Sequence, residues 1–143
     1  MNETVPFTDT EQARKIDELL RNTRHWKSTL ELVRDEILFI DRLLNSYAFE
    51  PDTPNLFERL QDYKQRLKIA KSKKTEVTWQ ISEHENNLGG MMECKNETCD
   101  LVFYEKHNIL RAKVVEYVEG FQNLKGEIFN YAGGILKKRK PGA

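Results

Sequence analysis

Three residues in the middle of the chain have the chemistry of a metal site: His84, Cys94 and Cys99. An imidazole and two thiolates are zinc ligands, and a structural zinc needs four that converge. The spacing is poor for that purpose. There is no Cys-x-x-Cys, and residues five apart on a helix point about 140° apart. His107 lies too far beyond Cys94 to join them. The expectation is a satisfied histidine and two isolated, partly buried thiols, with no metal and no cofactor.

Lysine supplies the next candidates. Between Tyr63 and Thr75 the chain carries Lys64, Arg66, Lys68, Lys71, Lys73 and Lys74 and no acid. Lys64, Lys68 and Lys71 share one helical face, which suits a phosphate backbone or an anionic lipid surface. The competing reading is internal. Glu31, Asp35 and Glu36 fall opposite this stretch when the chain folds back, and opposite charges on adjacent helices select orientation. Internal pairing is the favoured expectation. Lys74 and His107 occupy positions otherwise taken by apolar residues, and counting back from the turns puts them in one layer. They form either a buried anion site or, more simply, a polar layer that fixes register. No motif places a nucleophile beside a histidine and an acid. There is no glycine-rich phosphate loop, and the Glu-x-x-His signature of di-iron bundles is absent. An enzyme is not expected.

The elements that must position these residues are legible in the apolar spacing. Thr8 and Glu11 make a capping-box pattern. Ile16, Leu19, Thr23, Trp26, Leu30, Val33, Ile37, Ile40, Leu44 and Tyr47 then alternate by three and four, a 3.5-residue period. Thr53-Pro54 is a second helix start. Leu56, Leu60, Tyr63, Leu67, Ala70, Lys74, Val77, Ile81, His84 and Leu88 follow, and Gly89-Gly90 breaks the run. Phe103, His107, Leu110, Val114, Tyr117, Phe121, Leu124, Ile128 and Tyr131 form a third series, closed by Gly133-Gly134.

The fold class expected is all-α, an antiparallel three-helix bundle with coiled-coil-like packing. Its helices lie at about 8–49, 53–88 and 91–133, with a basic tail at 135–143 and residues 91–100 less defined. Short connections make neighbours antiparallel. Helices of roughly 35–45 residues at about 1.5 Å per residue give an elongated rod on the order of 50–65 Å. The layout resembles spectrin-type three-helix repeats, including a tryptophan in the first helix (Trp26). The resemblance is architectural and carries no function.

Composition sets the remaining bounds. At 143 residues the chain is expected to be one domain, and 23 basic against 23 acidic residues argue against a general polyanion binder. No run approaches the roughly 18 apolar residues of a membrane span. The first ten residues lack the apolar stretch of a signal peptide, so none is expected. Two thiols taken as free point to a reducing, cytoplasmic setting.

Helix width then suggests a function. Leu32, Phe39 and Leu43 add an apolar flank beside the first helix's stripe, with Leu38 on its other side. Tyr104, Val115, Val118 and Phe129 widen the third. Three helices cannot cover all of this, so a partner is expected, most simply a second copy forming a homodimer, or else another protein. Trp79 stands apart between Glu76 and Glu83, either flat on the surface or a contact point. The leading expectation is a non-enzymatic interaction or scaffold protein. The alternative is nucleic-acid or anionic-surface binding through Lys64, Lys68 and Lys71 and the tail.

Overall fold

The computed structural model describes residues 5–46 and 52–139. Three long helices carry the chain: α1 (Asp9–Leu44), α2 (Pro54–Leu88) and α3 (Glu97–Arg139), with a short 3-10 helix, Gly89–Glu93, after α2. Among the described residues there is no strand. The fold is an all-α three-helix bundle.

The helix starts follow from local chemistry. Glu11 N–H donates to Thr8 Oγ1 (3.1 Å) and Thr8 N–H to Glu11 Oε2 (3.4 Å), a reciprocal capping box. At α2 the Leu56 N–H donates to Thr53 Oγ1 (3.2 Å), and Pro54 takes the first position, where its missing N–H costs nothing. At α3 the Cys99 N–H donates to Asn96 Oδ1 (2.9 Å). That cap starts α3 at Glu97 rather than at residue 91.

Two helix ends differ from expectation. α1 stops at Leu44, short of residue 49. The Asn45 side-chain amide and backbone N–H both donate to Asp41 O (2.7 and 3.1 Å), and Ser46 N–H reaches Leu43 O (3.1 Å), closing the last turn. Residues 47–49 of the expected helix, Tyr47 among them, lie outside the described residues. So do residues 140–143 of the expected tail. α3 runs through Gly133-Gly134 to Arg139, so the start of that tail is helical. Each glycine in a helix costs about 1 kcal/mol against alanine, so the pair costs about 2 kcal/mol. Ile135 just beyond is 3% exposed, and burying such a side chain gives about 1.5–3 kcal/mol, which offsets it.

The chain divides into two compact units. The first joins Met1–Leu30 to Glu76–Glu116, and the second joins Glu31–Thr75 to Tyr117–Ala143. In the first, α1 buries Ile16, Leu19, Trp26 and Leu30 against Val77, Ile81 and Leu88 of α2 and Leu110 and Val114 of α3. The helix directions follow from named contacts: Gln12 with Asp100 and Asn22 with Arg111 set α1 parallel to α3, while Gln12 with Met91 and Thr23 with Glu85 set it against α2. In the second unit, Val33, Ile37, Ile40 and Leu44 are buried with Leu60, Tyr63 and Leu67 of α2 and Phe121, Leu124, Ile128 and Tyr131 of α3. Here two phenols tie α3 to α2, Tyr117 Oη donating to Ala70 O (2.7 Å) and Tyr131 Oη to Leu56 O (2.9 Å).

Leu30 is 2% exposed and Leu32, two residues on, is 63% exposed. Leu30→Ala and Ile81→Ala should each cost about 2–5 kcal/mol by leaving a cavity. Leu32→Ala should stay within roughly 0.5 kcal/mol. Denaturant unfolding of the three variants checks this, and equal effects would contradict the packing.

Candidate functional site

The polar residues at stripe positions meet one another in the first unit. His107 lies tilted against Trp26, with ring centroids 4.8 Å apart, and its Nε2 lies 3.0 Å from Asn22 Oδ1. That oxygen also accepts from Arg111 Nη2 (2.9 Å). An amide oxygen only accepts, so His107 carries its proton on Nε2 and leaves Nδ1 as an acceptor. His84 Nε2 stands 2.9 Å from that Nδ1 and therefore donates to it. The result is a directed chain from His84 to His107 to Asn22, reinforced by Arg111. Burial, then the neighbouring His84 and Arg111, push His107 down to about 4. Burial lowers His84 as well, partly offset by Glu85 and helped by Lys106. Both rings are neutral at pH 7.

His107 was expected to share a layer with Lys74, but its partners are His84 and Asn22. The reason lies in the connection. The 3-10 helix and the cap occupy residues 89–96, so the chain reverses near Lys95 rather than at Gly89-Gly90. Lys74 belongs to the second unit, half-buried. Burial, then repulsion from Arg34 and Lys71, hold its ammonium below its usual range.

Two further polar clusters occupy the first unit. Thr23 Oγ1 donates to Glu85 Oε2 (2.7 Å), and Lys27 pairs with the same carboxylate. Burial pushes the Glu85 carboxyl up, but these two donors outweigh it and hold it below the ordinary value. Nearer the start of α1, Gln12 is 1% exposed and Asp100 4%. Gln12 Nε2 donates to Met91 O and to Asp100 Oδ1, both at 2.9 Å. Lys15 Nζ donates to Asp100 Oδ2 (2.7 Å) and to Gln12 Oε1 (2.9 Å).

The expectation of two isolated thiols is corrected. Cys94 and Cys99 are joined in a disulfide. The extended Cys94 and the bend at Asn96 turn the chain back, bringing the cysteines' Cα atoms to 5.3 Å, within bridging range. On a continuous helix the same residues would diverge. Neither sulfur is then a thiolate ligand, and among the described residues no group of three His, Cys, Asp or Glu side chains could hold a metal.

Internal pairing of the basic stretch is seen at Arg66, whose Nη2 meets Glu127 Oε2 of α3 (2.6 Å), while two of the acids expected to face the stretch from α1 have other partners. Glu36 Oε2 pairs with Lys125 Nζ of α3 (2.7 Å), and Asp35 pairs with Arg34 on its own helix (3.6 Å). Lys68 and Lys71 are exposed and Lys64 is half-buried. Of the expected contact residues, Leu32, Phe39, Val115 and Trp79 are exposed at 63, 59, 47 and 63%, whereas Leu43 and Val118 are half-buried. The chain matches no protein-family model, no curated protein and no solved structure.

The histidine pair makes stability depend on pH. His107 takes a proton near 6.5 when unfolded and near 4 when folded, so between those values the unfolded chain binds the proton that the fold refuses. Stability is therefore complete above about pH 6.5 and falls as pH drops toward 4, by about 3 kcal/mol at most. Unfolding at a series of pH values should show this slope, and His107→Gln should flatten most of it. An unchanged slope in the variant would contradict the buried neutral pair. Lys74→Leu should leave the protein folded and at least as stable at neutral pH, because it removes a repelled, half-buried charge. Denaturant unfolding reads that sign directly.

Proposed function

We propose that this is a non-enzymatic helical interaction or scaffold protein that pairs with a second copy of itself through the outer face of α1 and α3 in the second unit. One observation carries the reading: large apolar side chains stay in water around an interhelical ion pair. The Glu36–Lys125 contact sets the two helices side by side. Leu32, Phe39 and Leu43 lie within two turns of Glu36 on its side of α1. Val118 and Phe129 lie likewise about Lys125 on α3, by the same three-and-four spacing. Leu32, Phe39 and Phe129 are 63, 59 and 42% exposed. Such a face forgoes about 25 cal/mol for each Å² it could bury. A two-fold partner covers the patch with its own copy. Val115 and Trp79, exposed in the first unit, are secondary candidates for contact with another protein.

A second reading has its own support. Lys64, Lys68 and Lys71 are not met by Glu36 or Asp35, whose carboxylates go elsewhere. An anionic surface or nucleic acid is the fitting partner for that face. Salt separates the readings, since phosphate contacts weaken steeply as salt rises. The cytoplasmic location expected from two free thiols is withdrawn from the proposal, because a disulfide replaces its premise. No helix among the described residues is long and apolar enough to cross a membrane.

Sedimentation equilibrium at micromolar concentration should give about twice the monomer mass, with little change between low and high salt. Phe39→Glu should shift the protein toward monomer. A wild-type protein that stays monomeric at high concentration would exclude the homodimer.

A further inference from the structure

The Cys94–Cys99 bond sits where three parts of the first unit meet. Cys94 is 1% exposed and packs in an apolar cluster with Ile16, Leu19, Leu88 and Met91. Cys99 is only partly buried, in the first turn of α3, three residues after the capping Asn96. On either side of the disulfide the chain is fastened to α1. Met91 O accepts from Gln12, and Asp100 accepts from Gln12 and Lys15. The ammonium of Lys15 also lies over the Phe7 ring, 3.6 Å from its centroid, so the segment ahead of α1 is held as well.

The two sulfurs are thus unequal in access and in chemistry. Cys99 packs against the same cluster but keeps part of its surface in solvent, whereas Cys94 is screened. The N-terminal turn of a long helix favours negative charge, and a thiolate there is stabilised. Such a sulfur is also a good leaving group, which favours its later release from a mixed disulfide.

We propose that Cys99 is a thiol-exchange site, and that the disulfide is a releasable latch between the α2–α3 connection and the start of α1. The reactant is a low-molecular-weight thiol such as glutathione, or a protein dithiol. In the first step its thiolate bonds to Cys99 Sγ as the S–S bond breaks. The electron pair leaves on Cys94 Sγ, which takes up a proton. In the second step another thiol attacks the mixed disulfide, releasing the Cys99 thiol and forming the oxidised reactant. Two external thiols are oxidised and one protein disulfide is reduced. Once the link is open, residues 94–99 lose their covalent tie and keep the Asn96 cap, the Cys94 N–H to Met91 O bond, the Gln12–Lys15–Asp100 contacts and their apolar packing. The apolar cluster around Cys94 then loses a crosslinked member.

The experiment equilibrates the oxidised full-length protein against glutathione buffers from fully oxidised to fully reduced. It quenches with acid, alkylates and maps the products by mass, with circular dichroism recorded in parallel. The bond should open within the glutathione range while the helices persist. In the wild type, the transient mixed disulfide should map to Cys99. The Cys94→Ser variant should take glutathione at Cys99 at least tenfold faster than Cys99→Ser takes it at Cys94. Hydrogen exchange should rise on reduction across residues 89–103 and around Gln12, and elsewhere stay unchanged. A bond that survives full reduction until the helices melt would overturn the exchange site. So would a mixed disulfide mapped to Cys94 in the wild type, a result that holds even if a serine variant fails to fold. A reduced protein with unchanged exchange at residues 89–103 would overturn the latch.

Discussion

Each of the three helices carries an apolar stripe that returns every three and four residues, and none can hide its own. Burying all three stripes against one another is the constraint on which the remaining structure depends. It places Ile40, Ile81 and Ile128 out of solvent altogether. It also fixes the rotation of each helix about its axis. Whatever occupies a stripe position is then carried inward, whether or not it is apolar.

The polar clusters follow from that forced burial. Gln12, Thr23, His84, Asp100 and His107 all stand at stripe spacing and are all buried. A buried polar group without a partner costs roughly 1–3 kcal/mol, so each must find one nearby. His84 finds His107, Thr23 finds Glu85, and Gln12 finds Asp100. Mismatched registers would leave several of these groups unpaired at once. The clusters therefore discriminate among ways of packing the first unit, even where an apolar substitute would be no less stable. The second unit solves the same problem with phenols, whose rings stay in the stripe while their hydroxyls reach α2 carbonyls. Burial pushes the Tyr117 hydroxyl up to about 12, so it remains a donor across the physiological range.

The stripes and two of the three helix starts were legible in the sequence because they are local and periodic. Thr8, Glu11 and Thr53 cap as their spacing implies. What escaped was set by distances along the connection. Eleven residues without a strong pattern separate Leu88 from Asp100, and their path decides how far α3 is shifted against α2. Taking Gly89-Gly90 as the turn put His107 beside Lys74. The path taken, through a 3-10 helix and a disulfide, puts it beside His84. The same path joins Cys94 to Cys99, which a helical reading had kept apart. Gln12 and Asp100 did leave a signal, since each continues the three-and-four spacing one step beyond the first apolar residue. Gly133-Gly134 was misleading because the gain from burying Ile135 is of the same size as the penalty of the two glycines.

What remains on the outside is where function is to be sought. The second unit closes its core and still leaves Leu32, Phe39 and Phe129 in water beside the Glu36–Lys125 pair. Charge elsewhere on the same unit, at Lys68 and Lys71, favours a different class of partner and sits on another helix. The measurement that tests the apolar face most directly is isotope-filtered nuclear Overhauser spectroscopy on a mixture of labelled and unlabelled protein. The account predicts intermolecular contacts from the methyls of Leu32 and Leu43 to the rings of Phe39 and Phe129 of the other copy. Intermolecular contacts confined to other surfaces, or none at millimolar concentration, would contradict it.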